Sequence, residues 1–125
     1  MTIAYWCVLG AALLPIIWAG VAKSGIKGYD NSRPREFLGS LSGWPARANH
    51  AQQNSYETFP PFAAGVIIAH LCDTPQATID ALAATFILAR VAYGICYIFD
   101  RSTLRSLVWL VGFGCTVALF ITSAG

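Results

Sequence analysis

The chain has 125 residues, enough for one domain. It is 56% hydrophobic and 11% charged, against about 25% charged in soluble domains, and its mean hydropathy of +0.57 is that of a membrane protein. A net charge of +2 gives no electrostatic footprint for nucleic acid.

The first candidate span, TIAYWCVLGAALLPIIWAGVA from Thr2 to Ala22, contains no charged residue. Its apolar run is too long for the core of a signal peptide and no positive charge precedes it, so a retained anchor over residues 2–23 is expected. The connection KSGIKGYDNSRPREFLGSLSGW carries the Gly, Asn, Ser and Pro of turns and short helices. The run FPPFAAGVIIAHLC, Phe59 to Cys72, falls short of the ~20 residues that a span needs. It reaches that length, over residues 46–72, only if the polar stretch RANHAQQNSYET before it belongs to the same helix. ATIDALAATFILARVAYGICYIF predicts a third span over residues 77–99, although it carries Asp80 and Arg90. LVWLVGFGCTVALFITS, with its flanks, predicts a fourth over residues 104–123. The fold expected is all-α: one integral membrane domain, residues 1–125, built as a four-helix bundle.

Basic residues set the orientation. Lys23, Lys27, Arg33, Arg35 and Arg47 lie between spans one and two, Arg101 and Arg105 between three and four, while the DTPQ loop and both tails have none. Both termini are therefore expected on the non-cytoplasmic side. The four cysteines, Cys7, Cys72, Cys96 and Cys115, have neither metal-ligand nor redox spacing and read as small core residues. Trp6, Trp18, Trp44 and Trp109, with Tyr5 and Tyr29, read as interfacial anchors near helix ends. Pro15 and the pair Pro60-Pro61 read as kinks, His70 as an interface residue, and Asp80 as a carboxylate suited to the start of its own helix.

The polar residues of spans two and three form a pattern. Glu57 lies ten residues in from Arg47, and Arg90 ten residues in from Asp100. At 1.5 Å per residue both sit roughly 15 Å below the cytoplasmic boundary. A lone charge there costs several kcal/mol, so each is expected to pair with the other. The same count puts Asn54 level with Tyr93. Arg47, His50, Asn54 and Glu57 follow one another at helical spacing and share a face; so do Arg90, Tyr93 and Tyr97. Arg105 and Ser106 open span four on the same side. So many donors exceed what a network merely holding helices together requires, and point to a pocket open to the cytoplasm. Arg, His, Asn and Tyr suit carboxylates and Glu57 suits an ammonium group, which leaves amino acids, peptides such as glutathione and organic anions as candidates.

HAQQNSYETFPPF resembles the second-helix signature of the membrane-associated proteins in eicosanoid and glutathione metabolism, the MAPEG family. ARVAYGICY is similar to that family's third-helix Arg and tyrosines, and LRS to the Arg-Ser pair opening the fourth helix in eicosanoid-forming members. DNSRPREFL and LSGWPARANHAQQN are similar to the bacterial branch. The resemblance implies a homotrimer in a bacterial inner membrane, binding glutathione as co-substrate and meeting a small apolar substrate from the membrane lipids. It implies glutathione contacts from Asn54, Glu57, Tyr93 and Tyr97, with Arg90 as the buried partner of Glu57. It gives Arg105 the role of thiolate stabiliser, with Ser106 near the sulfur. His50 stands where the family's enzymes have Arg, and Arg47 a turn earlier is the alternative carboxylate anchor. The activity implied is transfer of glutathione to apolar electrophiles, or reduction of lipid hydroperoxides. The alternatives are a non-catalytic binder of glutathione or lipid, and a small four-helix transporter using Glu57 as a coupling carboxylate.

Overall fold

In the computed structural model, residues 1–26, 28 and 31–125 are described; Lys27 and Tyr29, read above as loop charge and interfacial anchor, lie outside them. The described elements are all helices: α1 (Ile3–Ser24), α2 (Pro34–Gly39), α3 (Gly43–Leu71), α4 (Gln76–Ile98) and α5 (Ser102–Ser123). With 22, 23 and 22 residues, α1, α4 and α5 each run about 33–35 Å, close to the ~30 Å hydrocarbon thickness of a bilayer. These three are long and apolar enough to cross a membrane. Their outward residues agree: Ile16, Ile17, Leu88, Leu107, Leu110 and Ile121 are all more than half exposed.

Helix α3 differs. It runs unbroken for 29 residues through the polar stretch and both prolines. Its apolar half, from Phe59 to Leu71, covers only about 20 Å, some 10 Å less than the hydrocarbon depth. Roughly seven residues of the polar half must therefore lie at membrane depth if α3 spans, Asn54 and Glu57 among them.

The α3 helix is also the hub, packing on α1, α2, α4 and α5, while the closest pairs are α1 with α3 and α4 with α5. Small residues at the contacts let the backbones approach: Ala4, Ala11 and Ala22 on α1, Ala48, Ala51 and Ala69 on α3, and Ala83 on α4 are almost fully buried. In the half of the bundle that holds the chain termini, termed the outer half with the opposite half termed inner, Phe62 and Phe86 stack with ring centroids 3.8 Å apart. In the inner half Trp18, 6% exposed, lies over Gly94, where a Cβ would run into its indole ring. Trp18 is thus a core residue and not the interfacial anchor expected of it; Trp6 and Trp44 are exposed.

The two tight connections use one device. Asp73 and Asp100 take left-handed φ values of 56° and 58°, which short polar side chains tolerate. The following amides then reach back to close the helix ends, Thr74 N–H to Ala69 O at 3.1 Å and Arg101 N–H to Cys96 O at 2.8 Å. At the outer end Asp80 joins the start of its own helix to α1. It accepts from the Ala4 amide of α1 at 2.9 Å and from Gln76 at 2.8 Å, and places a negative charge at the α1 N-terminus. His70 joins that knot: Nε2 is 3.0 Å from the Thr2 hydroxyl, Nδ1 is 2.7 Å from the Val66 carbonyl, and the ring stacks on Tyr5. Cys96 and Cys115 are buried, Cys7 partly, and Cys72 is exposed; none is in a disulfide.

Candidate functional site

At the inner end of the bundle α3, α4 and α5 line three adjoining cavities, the first two of them open to the surface. One, of about 250 Å³, is lined by His50, Gln53, Asn54, Glu57, Tyr93 and Tyr97. Its α3 contribution is a single face: positions 50, 53, 54 and 57 repeat at three and four residues, the helical period. The Tyr93 and Tyr97 pair, four apart on α4, supplies the opposite wall. The depth match of Asn54 with Tyr93 is realised here, and His50 lies against Tyr97 with ring centroids 5.7 Å apart.

A second cavity, about 390 Å³, lies between α4 and α5 and is lined by Tyr93, Arg105, Ser106, Trp109 and Leu110. Tyr93 is common to both, so the polar cavity and the Arg105–Ser106 cavity meet at its ring. The Arg105 guanidinium carbon sits 4.3 Å from the centre of the Tyr97 ring. Ser106 Oγ donates to the Ser102 carbonyl at 3.1 Å, the i−4 back-bond that a hydroxyl makes within a helix.

The third cavity, about 160 Å³, extends deeper. Asn54, Glu57 and Arg90 line it together with the apolar Pro61, Phe86, Trp109 and Phe113. Arg90 is 2% exposed, its guanidinium carbon lies 4.2 Å over the Tyr93 ring, and neither Nη1 nor Nη2 has a hydrogen-bond partner. The Asn54 carbonyl oxygen is likewise buried and unsatisfied.

Two expectations are corrected. Glu57 and Arg90 face one cavity but form no ion pair among the described residues: Glu57 is exposed at the mouth of the cavity while Arg90 is buried over Tyr93. Counting residues fixes depth along a helix axis and leaves the direction around it open. Arg47 does not reach these cavities; its Nε donates to the Ile98 carbonyl at 3.1 Å and closes the end of α4. Two residues went unnamed as site residues and were within reach of the spacing argument: Gln53, which shares the His50–Glu57 face, and Trp109, one turn beyond Arg105. Trp109, read as an interfacial anchor, lines two of the cavities and stacks on Phe113 with centroids 5.1 Å apart. Among the described residues no cluster of His, Cys, Asp and Glu is placed to hold a metal ion.

A membrane helical bundle with a polar pocket at the end of its helices away from the chain termini is the class of protein defined so far. The sequence matches the MAPEG family over residues 3–125, essentially its whole length, and the chain belongs to that family. It is an integral membrane protein of the glutathione-related group that the family comprises. Comparison with curated proteins and with solved structures finds no match.

Proposed function

We propose that the protein is a membrane-embedded glutathione-dependent transferase or peroxidase, working as a homotrimer in a bacterial inner membrane with its termini on the non-cytoplasmic side. The observation that carries the proposal is the junction at Tyr93 between a cavity of ligand-binding groups and a cavity holding Arg105 and Ser106. Glutathione brings two carboxylates, one ammonium and one thiol. Glu57 suits the ammonium; His50, Asn54, Tyr97 and the unpartnered Arg90 suit the carboxylates. One carboxylate facing two guanidinium groups leaves the site net positive, which matches a ligand of net negative charge.

The chemistry then belongs to Arg105. A guanidinium beside a thiol favours the thiolate and raises the nucleophile's population at neutral pH. The thiolate attacks an electrophilic carbon, the new C–S bond forms, and the leaving group departs with the electron pair. With a lipid hydroperoxide it attacks the terminal oxygen, the O–O bond breaks, and the alkoxide leaves and takes up the proton that the thiol released; a second glutathione converts the sulfenic acid to disulfide and water. The apolar walls from Phe86, Trp109 and Phe113 suit substrates that arrive through lipid.

A non-catalytic binder is the second reading, favoured by one observation: Arg105 rests on the Tyr97 ring and is not in the wall of the polar cavity. Arg105→Ala separates the two. For the enzyme, glutathione affinity measured by calorimetry in detergent stays within a few-fold, while turnover of a model electrophile falls about 10²–10³-fold, as for loss of one preorganised contact to developing charge. Wild-type protein that binds glutathione without forming thiolate, and matches Arg105→Ala, establishes the binder.

A further inference from the structure

We infer that Tyr97, beyond the carboxylate contact proposed for its hydroxyl, is a positioning residue for the chemistry, and that the face of its ring positions the Arg105 guanidinium. The inference rests on the function proposed above and assigns a mechanism to one wall of that site.

The geometry is a chain of ring contacts. Arg105 lies 4.3 Å over Tyr97 and Arg90 lies 4.2 Å over Tyr93. The two rings meet edge to face, 5.7 Å between centroids at 81°, and His50 tilts against Tyr97 at 5.7 Å and 53°. Tyr97 is therefore fixed by two aromatic neighbours while it carries the guanidinium. Among the described residues its hydroxyl makes no hydrogen bond, and the Arg105 side chain makes neither an ion pair nor a hydrogen bond.

The choice of clamp has a chemical consequence. A carboxylate would hold a guanidinium equally well but would neutralise it, and a neutralised Arg105 could do little for a thiolate. An aromatic face attracts the cation through its quadrupole while carrying no net charge, so the full positive charge stays directed at the ligand. It also suits the planar, weakly hydrated guanidinium better than an ammonium. A free arginine at a cavity mouth would sample many rotamers; one stacked on a fixed ring is held where the two cavities join.

The test uses purified full-length wild type, Tyr97→Phe and Tyr97→Leu in detergent, with Arg105→Ala as reference. The first readout needs no ligand: the rate at which phenylglyoxal modifies Arg105, followed by mass spectrometry on the peptide that contains it. The second is the thiolate absorbance of bound glutathione across pH. Tyr97→Phe is expected to match wild type in both, and to weaken glutathione binding only by the lost contact of the hydroxyl with a carboxylate. Tyr97→Leu is expected to raise the modification rate and to lower the thiolate fraction at neutral pH about two- to fivefold, the range of one exposed cation–π contact, with glutathione affinity falling no further than in Tyr97→Phe. Tyr97→Phe behaving like Tyr97→Leu would overturn the inference, because the hydroxyl would then be the working group; so would Tyr97→Leu indistinguishable from wild type. If Tyr97→Leu does not fold, Tyr97→Gln takes its place under the same criteria. Wild-type protein that binds no glutathione refutes the proposed function, and the modification rates still decide the clamp.

Discussion

Replacing Arg90 by methionine is expected to make the ligand-free protein more stable, an unusual outcome for truncating a buried side chain. Both Nη groups of Arg90 are buried and unsatisfied, and each such group costs about 1–3 kcal/mol, more when charged. Against this stands the contact with Tyr93, which contributes about 0.5–2 kcal/mol. Methionine keeps an unbranched apolar stem and fills irregular gaps, so the stem's packing beside Gly112 and Tyr93 is largely retained. The net expectation runs from about zero to a gain of about 5 kcal/mol. Denaturant titration in mixed micelles measures it, with and without glutathione. The ligand should stabilise wild type and have much less effect on Arg90→Met, because the unpaired guanidinium is then filled only in the wild-type complex. Glu57→Gln, at an exposed position, should leave stability within about 0.5 kcal/mol. Loss of stability in Arg90→Met, or equal losses in Arg90→Met and Glu57→Gln, would refute the reasoning; the guanidinium would then have an anionic partner in the assembled protein.

Three further outcomes concern the bundle. Gly94→Ala puts a methyl group into the Trp18 indole and should cost about 1–3 kcal/mol, with a change in Trp18 fluorescence; unchanged stability and spectrum would mean that α1 and α4 do not meet there. Asp80→Asn keeps an acceptor for the Ala4 amide but removes its negative charge and should cost about 0.3–1 kcal/mol, with faster amide exchange confined to the start of α1. Phe62→Ala empties a fully buried site stacked on Phe86 and should cost about 3–5 kcal/mol; a smaller loss in denaturant titration would show that the helices close over the gap.

The helices were readable in the sequence because a bilayer imposes length and polarity together. Three apolar runs of about the right length give α1, α4 and α5 directly. The α3 helix was reached by a shortfall: the apolar run after Thr58 is too short to span, which forces the polar stretch before it into the same helix, and a continuous 29-residue helix is observed. Roles that depend on a neighbour's identity were not readable. Trp18 resembled an anchor because it lies toward one end of its helix, and only the packing of α1 on Gly94 makes it core. Asp80 looked like a group serving its own helix alone because sequence proximity is the only proximity a sequence displays; its partner on α1, the amide of Ala4, is 76 positions away.

The candidate site divides along the same line. Which residues gather was legible, since His50, Asn54, Glu57, Arg90, Tyr93 and Tyr97 repeat at three and four on their own helices, and a stripe of polar side chains at membrane depth has nowhere to turn except toward a cavity. Which residues pair was not. The 1.5 Å rise of a helix makes depth a matter of counting, and by counting Glu57 and Arg90 are level. Their azimuths are set by how α3 and α4 roll against each other, and those are fixed by distant contacts such as Phe62 on Phe86 in the outer half of the bundle. The roll turns Arg90 inward over Tyr93 and leaves Glu57 at the mouth. A salt bridge between them would have closed the site on itself; instead two guanidinium groups rest on aromatic faces, and neither pairs with Glu57 among the described residues.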